Sequence, residues 1–550
     1  MHSEPRLIRY WHTLRYLRPV QFYGRVWFRL VRPKIDLRPA PLSRALHRGQ
    51  WALPARRSSS LVDVEQFFFL NETRDLSAHG WDDAALDKLW RYNLHYFDDL
   101  NAQDATARGA WHQALLLRWV RENPPAAGSG WEPYPVSLRI VNWIKWALSG
   151  NALPTECLDS LAAQARLLAR RLEIHLLGNH LFANAKALVF AGLYFDGPEA
   201  KNWLEKGMRI LVREVPEQIL ADGGQFERST MYHALALEDM LDLCNVTTAF
   251  AGAVPPYWRA TAADWRTHIG PMRNWLAAMC HPDGEISLFN DAAFGIAPAP
   301  AELERYADDL KLAPPGRAQM GVTHLAQSGY VRVAQDAIVA LLDVAPIGPD
   351  YLPGHAHADT LSFELSVFGQ RVLVNSGTSC YGLGSERTRQ RETAAHNTVE
   401  VDGQSSSEVW ASFRVARRAR PLGLKVVCDG GVEVICSHDG FRRLPGQPVH
   451  TRKWLFEDAS LVVADRVSGQ FGCAEARFHL HPAVTLDAHD GGVTGRLGLG
   501  NGCWLTWRVE MGELVVEEST YHPRFGINES SRCLVLRLRD GGSRIRFDWV

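Results

Sequence analysis

Two histidines and an aspartate stand two residues apart at His355, His357 and Asp359, in the stretch Gly-His-Ala-His-Ala-Asp-Thr-Leu-Ser-Phe of residues 354–363. An alternating apolar run follows, so the segment reads as the entry of a β-strand. A period of two places the three polar side chains on one face, continuous with Leu361, Phe363 and Leu365. Buried imidazoles and carboxylates are costly unless bonded. A metal, a catalytic site or both would supply the partners; so would a plain hydrogen-bonded histidine pair.

His396 opens a second such element, Ala395-His396-Asn397-Thr398-Val399, and Val374-Asn375-Ser376-Gly377-Thr378 lies between the two. His357 and His396 with an oxygen from Asn375 or Asp359 make a divalent-metal set, zinc first. The alternative is a hydrogen-bonded loop anchor. Nearer the start, Gly178-Asn179-His180 opens a helix. Asn179 suits an N-cap, or an amide facing a substrate carboxylate. Residues 222–233 run a glycine-rich loop into another helix, where Tyr232 reads first as a core aromatic. The segments 281–284 and 290–291 read as turns.

Elements must position these groups. Apolar residues at three/four spacing recur in 111–120, 137–148, 158–172, 180–194, 203–212 and 232–244. Gly/Pro/Asn-rich breaks separate them, which suggests helical hairpins able to close as a toroid. From about residue 325 the pattern turns to short strands: 330–333, 338–344, 361–368, 372–374, 398–401, 432–436, 461–463, 504–509 and 533–538. Closely spaced short strands mean stacked antiparallel sheets. The chain divides into a basic, aromatic arm (1–70), a helical domain (71–322) and a β-sheet domain (323–550).

At 550 residues the chain exceeds one core. Its 46% hydrophobic and 22% charged residues are ordinary for a globular protein, and a net charge of −1 argues against a nucleic-acid-coating surface. Nine cysteines without a Cys-x-x-Cys spacing argue against a disulfide framework or a cysteine zinc site. No signal peptide is read at the start, so a cytoplasmic location is expected, or a periplasmic one if the start is truncated. No apolar run reaches the roughly 20 residues of a membrane span. Residues 18–33 form an amphipathic pattern with Phe22, Val26, Trp27 and Leu30 against Arg25, Arg29 and Arg32. Its apolar face is expected to pack on the protein itself, with a membrane surface as the alternative.

Taken in order, Gly178-Asn179-His180, the 222–233 segment, 354–363, 374–378, 395–403, 440–444 with 449–452, 478–482 and 521–526 resemble the heparinase II/III family of polysaccharide lyases. The resemblance implies an incomplete (α/α) toroid followed by an antiparallel β-sandwich. It also implies β-elimination at C4 of a uronic acid in an acidic polysaccharide. Asn179 matches the residue that neutralises the uronate carboxylate, and Tyr232 the one that protonates the leaving oxygen and, for some epimers, removes the C5 proton. His355 matches the histidine that acts as base for the other epimer or helps hold the carboxylate. His357, Asn375 and His396 match a structural metal site, although the family usually has aspartate at the position of Asn375. No organic cofactor is implied.

An acidic polymer calls for cationic anchors. Arg139, Arg228, His233, His396, Arg387 and Arg391 are the candidates, with Arg389 beside them. Trp131, Tyr134, Trp143 and Tyr381 are candidates for stacking on sugar faces. Two other classes compete with the lyase: a non-catalytic accessory protein that binds an acidic exopolysaccharide, and a metal-assisted hydrolase using His357 and His396.

Overall fold

The computed structural model describes residues 6–46, 51–316, 320–490 and 492–549. Residues 1–5 and 47–50 of the expected arm lie outside them. Helices come first and strands second. The helices Pro133–Leu148, Thr155–Arg170, Gly178–Tyr194, Pro198–Gln218, Thr230–Ala249 and Arg259–Ala278 pack against one another in sequence and across the ring. Gly178–Tyr194 is buried along nearly its whole length, because it is apolar on every side and has no face to offer water. It packs tightly on Pro198–Gln218. A Cβ on Gly192 would lie 2.5 Å from the Leu204 nitrogen, and one on Gly207 2.7 Å from the Ala185 carbonyl.

From Gly321 onward the described strands form three large antiparallel sheets and a two-stranded one, Val409–Trp410 with Arg414–Val415. Gly321–Leu325, Tyr330–Ala334, Ile338–Asp343, Phe363–Val367 and Gln370–Leu373 pair consecutively in a five-stranded sheet. An eight-stranded and a four-stranded sheet complete the sandwich, sharing an apolar core that includes Phe363, Trp454, Phe478, Trp507 and Phe547. This is the incomplete (α/α) toroid followed by an antiparallel β-sandwich. The two parts are joined by packing: Val374, Tyr521 and Phe525 enter the helical core, and Tyr330 and Leu341 pack on Trp275. A small sheet of Leu61–Asp63, Gln66–Phe69 and Glu72–Asp75 straddles the expected edge of the arm.

Two local expectations fail. The strand expected to begin near His355 begins at Phe363. Residues 354–362 form a loop, with Leu361 at φ +65°, because their polar groups bond to another loop instead of a neighbouring strand. The helix Pro19–Leu30 does form, but Phe22, Val26, Trp27 and Leu30 face solvent. Its inner face is Gln21, Gly24 and Phe28: Gly24 lets the backbone approach His175 closely, and the Phe28 ring packs against the His175 ring.

Candidate active site

A cavity of about 640 Å³ opens between the toroid and the sheets. Asn179, Tyr232 and His355 all line it, together with His180, Glu227, Tyr134 and Tyr381. Asn179 stands at the first turn of Gly178–Tyr194, where helix N–H groups favour an anion. Tyr232 stands at the first turn of Thr230–Ala249, where the Ser229 side chain caps the helix by accepting from the Tyr232 N–H at 3.2 Å.

The loop 287–291 fixes that turn. Ser229 donates to the Asp291 carbonyl at 2.5 Å, Thr230 to the Ser287 carbonyl, and Asn290 to the Arg228 carbonyl at 3.1 Å. The same loop fixes the histidine segment: the Asp291 N–H donates to the His355 carbonyl at 2.9 Å, and the His357 N–H to Asn290 Oδ1 at 3.0 Å. Asp359 belongs to this framework, accepting from the Asn290 N–H at 3.2 Å. Burial pushes its carboxyl up to about 6.

Asp291 is the hub of the site. It is fully buried and accepts from His355 Nδ1 at 2.9 Å, from His357 Nε2 at 2.8 Å and from both terminal nitrogens of Arg387. Burial alone would raise its pKa; Arg387 and the two histidines outweigh burial and hold the carboxyl well below its usual range. A carboxylate at Nδ1 keeps the proton there, so His355 Nε2 carries a lone pair. Nε2 lies 3.9 Å from Glu227 Oε2, a buried oxygen with no hydrogen-bond partner, and burial raises the Glu227 carboxyl.

The Tyr232 ring stacks on His355 with centroids 3.9 Å apart, and its hydroxyl lies 3.1 Å from that of Tyr381. Burial first, then Tyr381 and Asp291, hold the Tyr232 phenol well above its usual range, so it stays protonated. His180 packs tilted against Tyr134 with centroids 4.5 Å apart and lies 3.2 Å from Glu173. Burial would lower its pKa, but Glu173 outweighs that and raises it.

His357, His396 and Asn375 are brought together, but as a chain. His396 Nε2 lies 3.2 Å from His357 Nδ1, and His396 Nδ1 lies 3.1 Å from Asn375 Oδ1. His396 meets its two neighbours with opposite ring nitrogens, so the three donors do not converge on one point. With His357 Nε2–H given to Asp291, its Nδ1 accepts from His396 Nε2–H, and His396 Nδ1 is then an acceptor. Asn375 Nδ2 is buried without a partner. A half-turn of that amide lets its Nδ2 donate to His396 Nδ1. Among the described residues no cluster of three His, Cys, Asp or Glu is arranged to hold a metal. This donor set does not fit the expected zinc.

None of the six expected substrate contacts lines the cavity. Arg139 is buried in the toroid, donating to Gln164 and to the His95 and Gly130 carbonyls, over the Trp119 ring. Arg391 donates to the Ala356 and Ser412 carbonyls, and Arg387 is committed to Asp291. Arg228 donates to the Ser328 carbonyl at 2.9 Å. His233 is buried between the Gln225 N–H and the Met272 carbonyl, and His396 is sealed in its chain. The cations that do reach the cavity include Arg25 and Arg414. Tyr134 and Tyr381 line it as well, whereas Trp131 and Trp143 pack on Trp119 in the core.

A toroid-and-sandwich fold with a histidine, a tyrosine and an asparagine facing one cavity defines the architectural class. Residues 71–308 match the model "Heparinase II/III N-terminus" and residues 318–549 the model "Heparinase II/III-like, C-terminal". Together these span most of the chain, which belongs to the heparinase II/III family. A heparin-sulfate lyase of Bacteroides stercoris is 24% identical over 329 residues, covering 55% of this chain and 46% of the lyase. FtsZ-localized protein C of Caulobacter vibrioides is 25% identical over 448 residues, covering 75% of this chain and 73% of that protein. The chain thus spans about half the length of the lyase it matches. The crystal structure of heparinase III superposes with a TM-score of 0.69 at 17% identity, over 96% of this chain and 89% of that one, a likeness of fold.

Proposed function

We propose that the protein is a polysaccharide lyase that cleaves a uronic-acid-containing glycan by β-elimination. One observation carries the reading. Asn179, Tyr232 and His355 come from three distant segments to one cavity, and a buried carboxylate fixes the tautomer of the histidine. His355 Nε2 removes the C5 proton, the C4–oxygen bond breaks as the C4–C5 double bond forms, and Tyr232 gives its proton to the departing oxygen. The raised phenol suits an acid and not a base, so the base is His355. Asn179 and His180 lie where they can hold the uronate carboxylate and offset the charge that develops on it. Glu227, its acid form favoured by burial, is placed to donate a further hydrogen bond. The step requires no metal at His357, Asn375 and His396. The glycosaminoglycan named for the Bacteroides relative supports an acidic glycan as the substrate class.

An accessory binder has no use for a histidine held in one tautomer. Incubation with a panel of uronate polymers, followed by the ultraviolet absorbance of the unsaturated product, tests the reading. Absorbance that disappears in Tyr232→Phe and His355→Ala is expected. Retained binding without absorbance on any acidic glycan overturns it.

A further inference from the structure

The two N-terminal helices present an apolar surface that the other described residues do not cover. In Pro19–Leu30, Phe22, Tyr23, Val26, Trp27 and Leu30 fall at i, i+1, i+4, i+5 and i+8, one continuous stripe. Every one is exposed, Trp27 by 60% and Leu30 by 77%. In Arg6–Leu14, Leu7, Ile8 and Trp11 repeat the pattern at i, i+1 and i+4, with Leu7 exposed by 81%. These side chains are not exposed by a loose arm, because the inner faces of both helices are anchored. Gln21 donates to the Tyr351 carbonyl at 3.1 Å, Phe28 packs tilted against His175 with centroids 4.5 Å apart, Tyr10 meets Trp410 edge to face at 5.0 Å, and Trp410 donates to Thr13 at 3.1 Å.

Charge indicates what covers the stripe. Residues 5–34 hold seven arginines and one lysine and no acid, in a chain whose net charge is −1. Arg29 and, toward the cavity, Arg25 run along one edge of the stripe by helical position, while Arg18 at the N-cap pairs with Glu217. Exposed aromatics and aliphatics bordered by arginines are the composition of a helix lying in a bilayer interface, with apolar side chains in the acyl boundary and guanidinium groups at the headgroups. A second copy fits poorly, since a two-fold interface through this patch would set arginine rows against each other. Aliphatic residues such as Val26 and Leu30 have no role against a soluble polyanion. No helix among the described residues is long and apolar enough to cross a membrane.

We propose that this pair of helices docks the protein on an anionic lipid surface, lying on the bilayer without crossing it. The docking is independent of the reaction in the cavity. Sedimentation of the full chain with phosphatidylcholine vesicles, with and without phosphatidylglycerol, tests it. Binding to the phosphatidylglycerol vesicles that weakens with salt is expected. The triple substitution Tyr23→Ser, Trp27→Ser, Leu30→Ser is expected to weaken it by about tenfold or more, and Arg29→Gln with Arg32→Gln to weaken it by about tenfold. All these positions are exposed, so unchanged thermal unfolding is the control for folding. Absence of binding to anionic vesicles overturns the proposal. So does undiminished binding by the triple variant, a dimer that the triple substitution dissolves, or loss of acidic-glycan binding in a protein that ignores vesicles.

Discussion

The molecule contains the Asp291 cluster twice in outline, once where the toroid meets the sheets and once inside the sandwich. At Asp465, His450 Nε2 donates at 2.7 Å, Arg452 donates from Nε and its terminal nitrogen at 2.7 and 2.9 Å, and His450 Nδ1 lies 3.2 Å from His438 Nε2. At Asp291, His357, Arg387 and His396 take the same places with nearly the same distances. Both aspartates are held below their usual range against burial. The chemical difference is His355: Asp291 has it as a further imidazole partner, and His355 reaches a cavity. A buried Asp–His–Arg cluster is a structural device in itself. It becomes chemical only where one of its members meets substrate.

The largest effects separate the two clusters. His355→Ala is expected to lower turnover by about a thousandfold while leaving Tm nearly unchanged, since Asp291 keeps Arg387 and His357. His450→Ala is expected to do the reverse. It costs about 3 kcal/mol of stability by stripping a partner from a buried charge, with turnover per folded molecule intact. Kinetics and thermal unfolding of the two variants check this; equal effects on both quantities would erase the distinction.

Asp291→Asn comes next. The amide no longer fixes the His355 proton on Nδ1, so turnover should fall by about a hundredfold or more. Asp465→Asn should lower Tm and spare turnover. Comparing single-turnover rates with Tm for the pair sharpens the claim that tautomer control, and not mere packing, is what Asp291 adds.

Some of this was legible in the chain. The long apolar helices and the strands from Tyr330 onward announce themselves by period. Asn179, Tyr232 and His355 were legible by resemblance. Asp291 was not, because Asn-Asp looks like a turn and its partners are 64 to 96 residues away. The arginines were misread because arginine is usually exposed. The signal was there in the spacing: in the helix Ser385–Arg391, Arg387 and Arg391 are four apart and point inward, while Arg389 points out to Glu386. Glu227 was passed over beside Arg228, since nothing local marks an oxygen left unpartnered.

Acid should weaken the molecule before it touches the distinction between the clusters. Burial lowers His95 and His479 to about 3 and His233 to about 4. In the unfolded chain each takes up its proton near pH 6.5. Between about 6.5 and 4 the unfolded state therefore binds more protons, and stability falls as pH falls, by about 1.4 kcal/mol per histidine and pH unit. Asp291 and Asp465, with depressed values, add their loss further down. Asp359, with its carboxyl raised to about 6, and Glu227, also raised, bind their protons first in the folded state and oppose this below about pH 6. The three histidines together outweigh them, so Tm measured from pH 7 to 4 should fall, most steeply between about 6.5 and 6; a rising profile would mean these imidazoles are not buried neutral.

The smallest expected effect bears on the metal. If a cation braced His357, Asn375 and His396, a chelator would withdraw a ligand bound only by the folded state, and Tm would drop. In the hydrogen-bonded chain nothing is withdrawn, so Tm and turnover should be unchanged by chelator and by added zinc. Asn375→Asp gives the same question an active form. Three donors around an ion would gain a carboxylate, and zinc would then raise Tm. Within the chain the new carboxylate has only His396 to pair with, so the substitution should destabilise, zinc should not restore Tm, and the loss should shrink at lower pH as His396 takes up a proton.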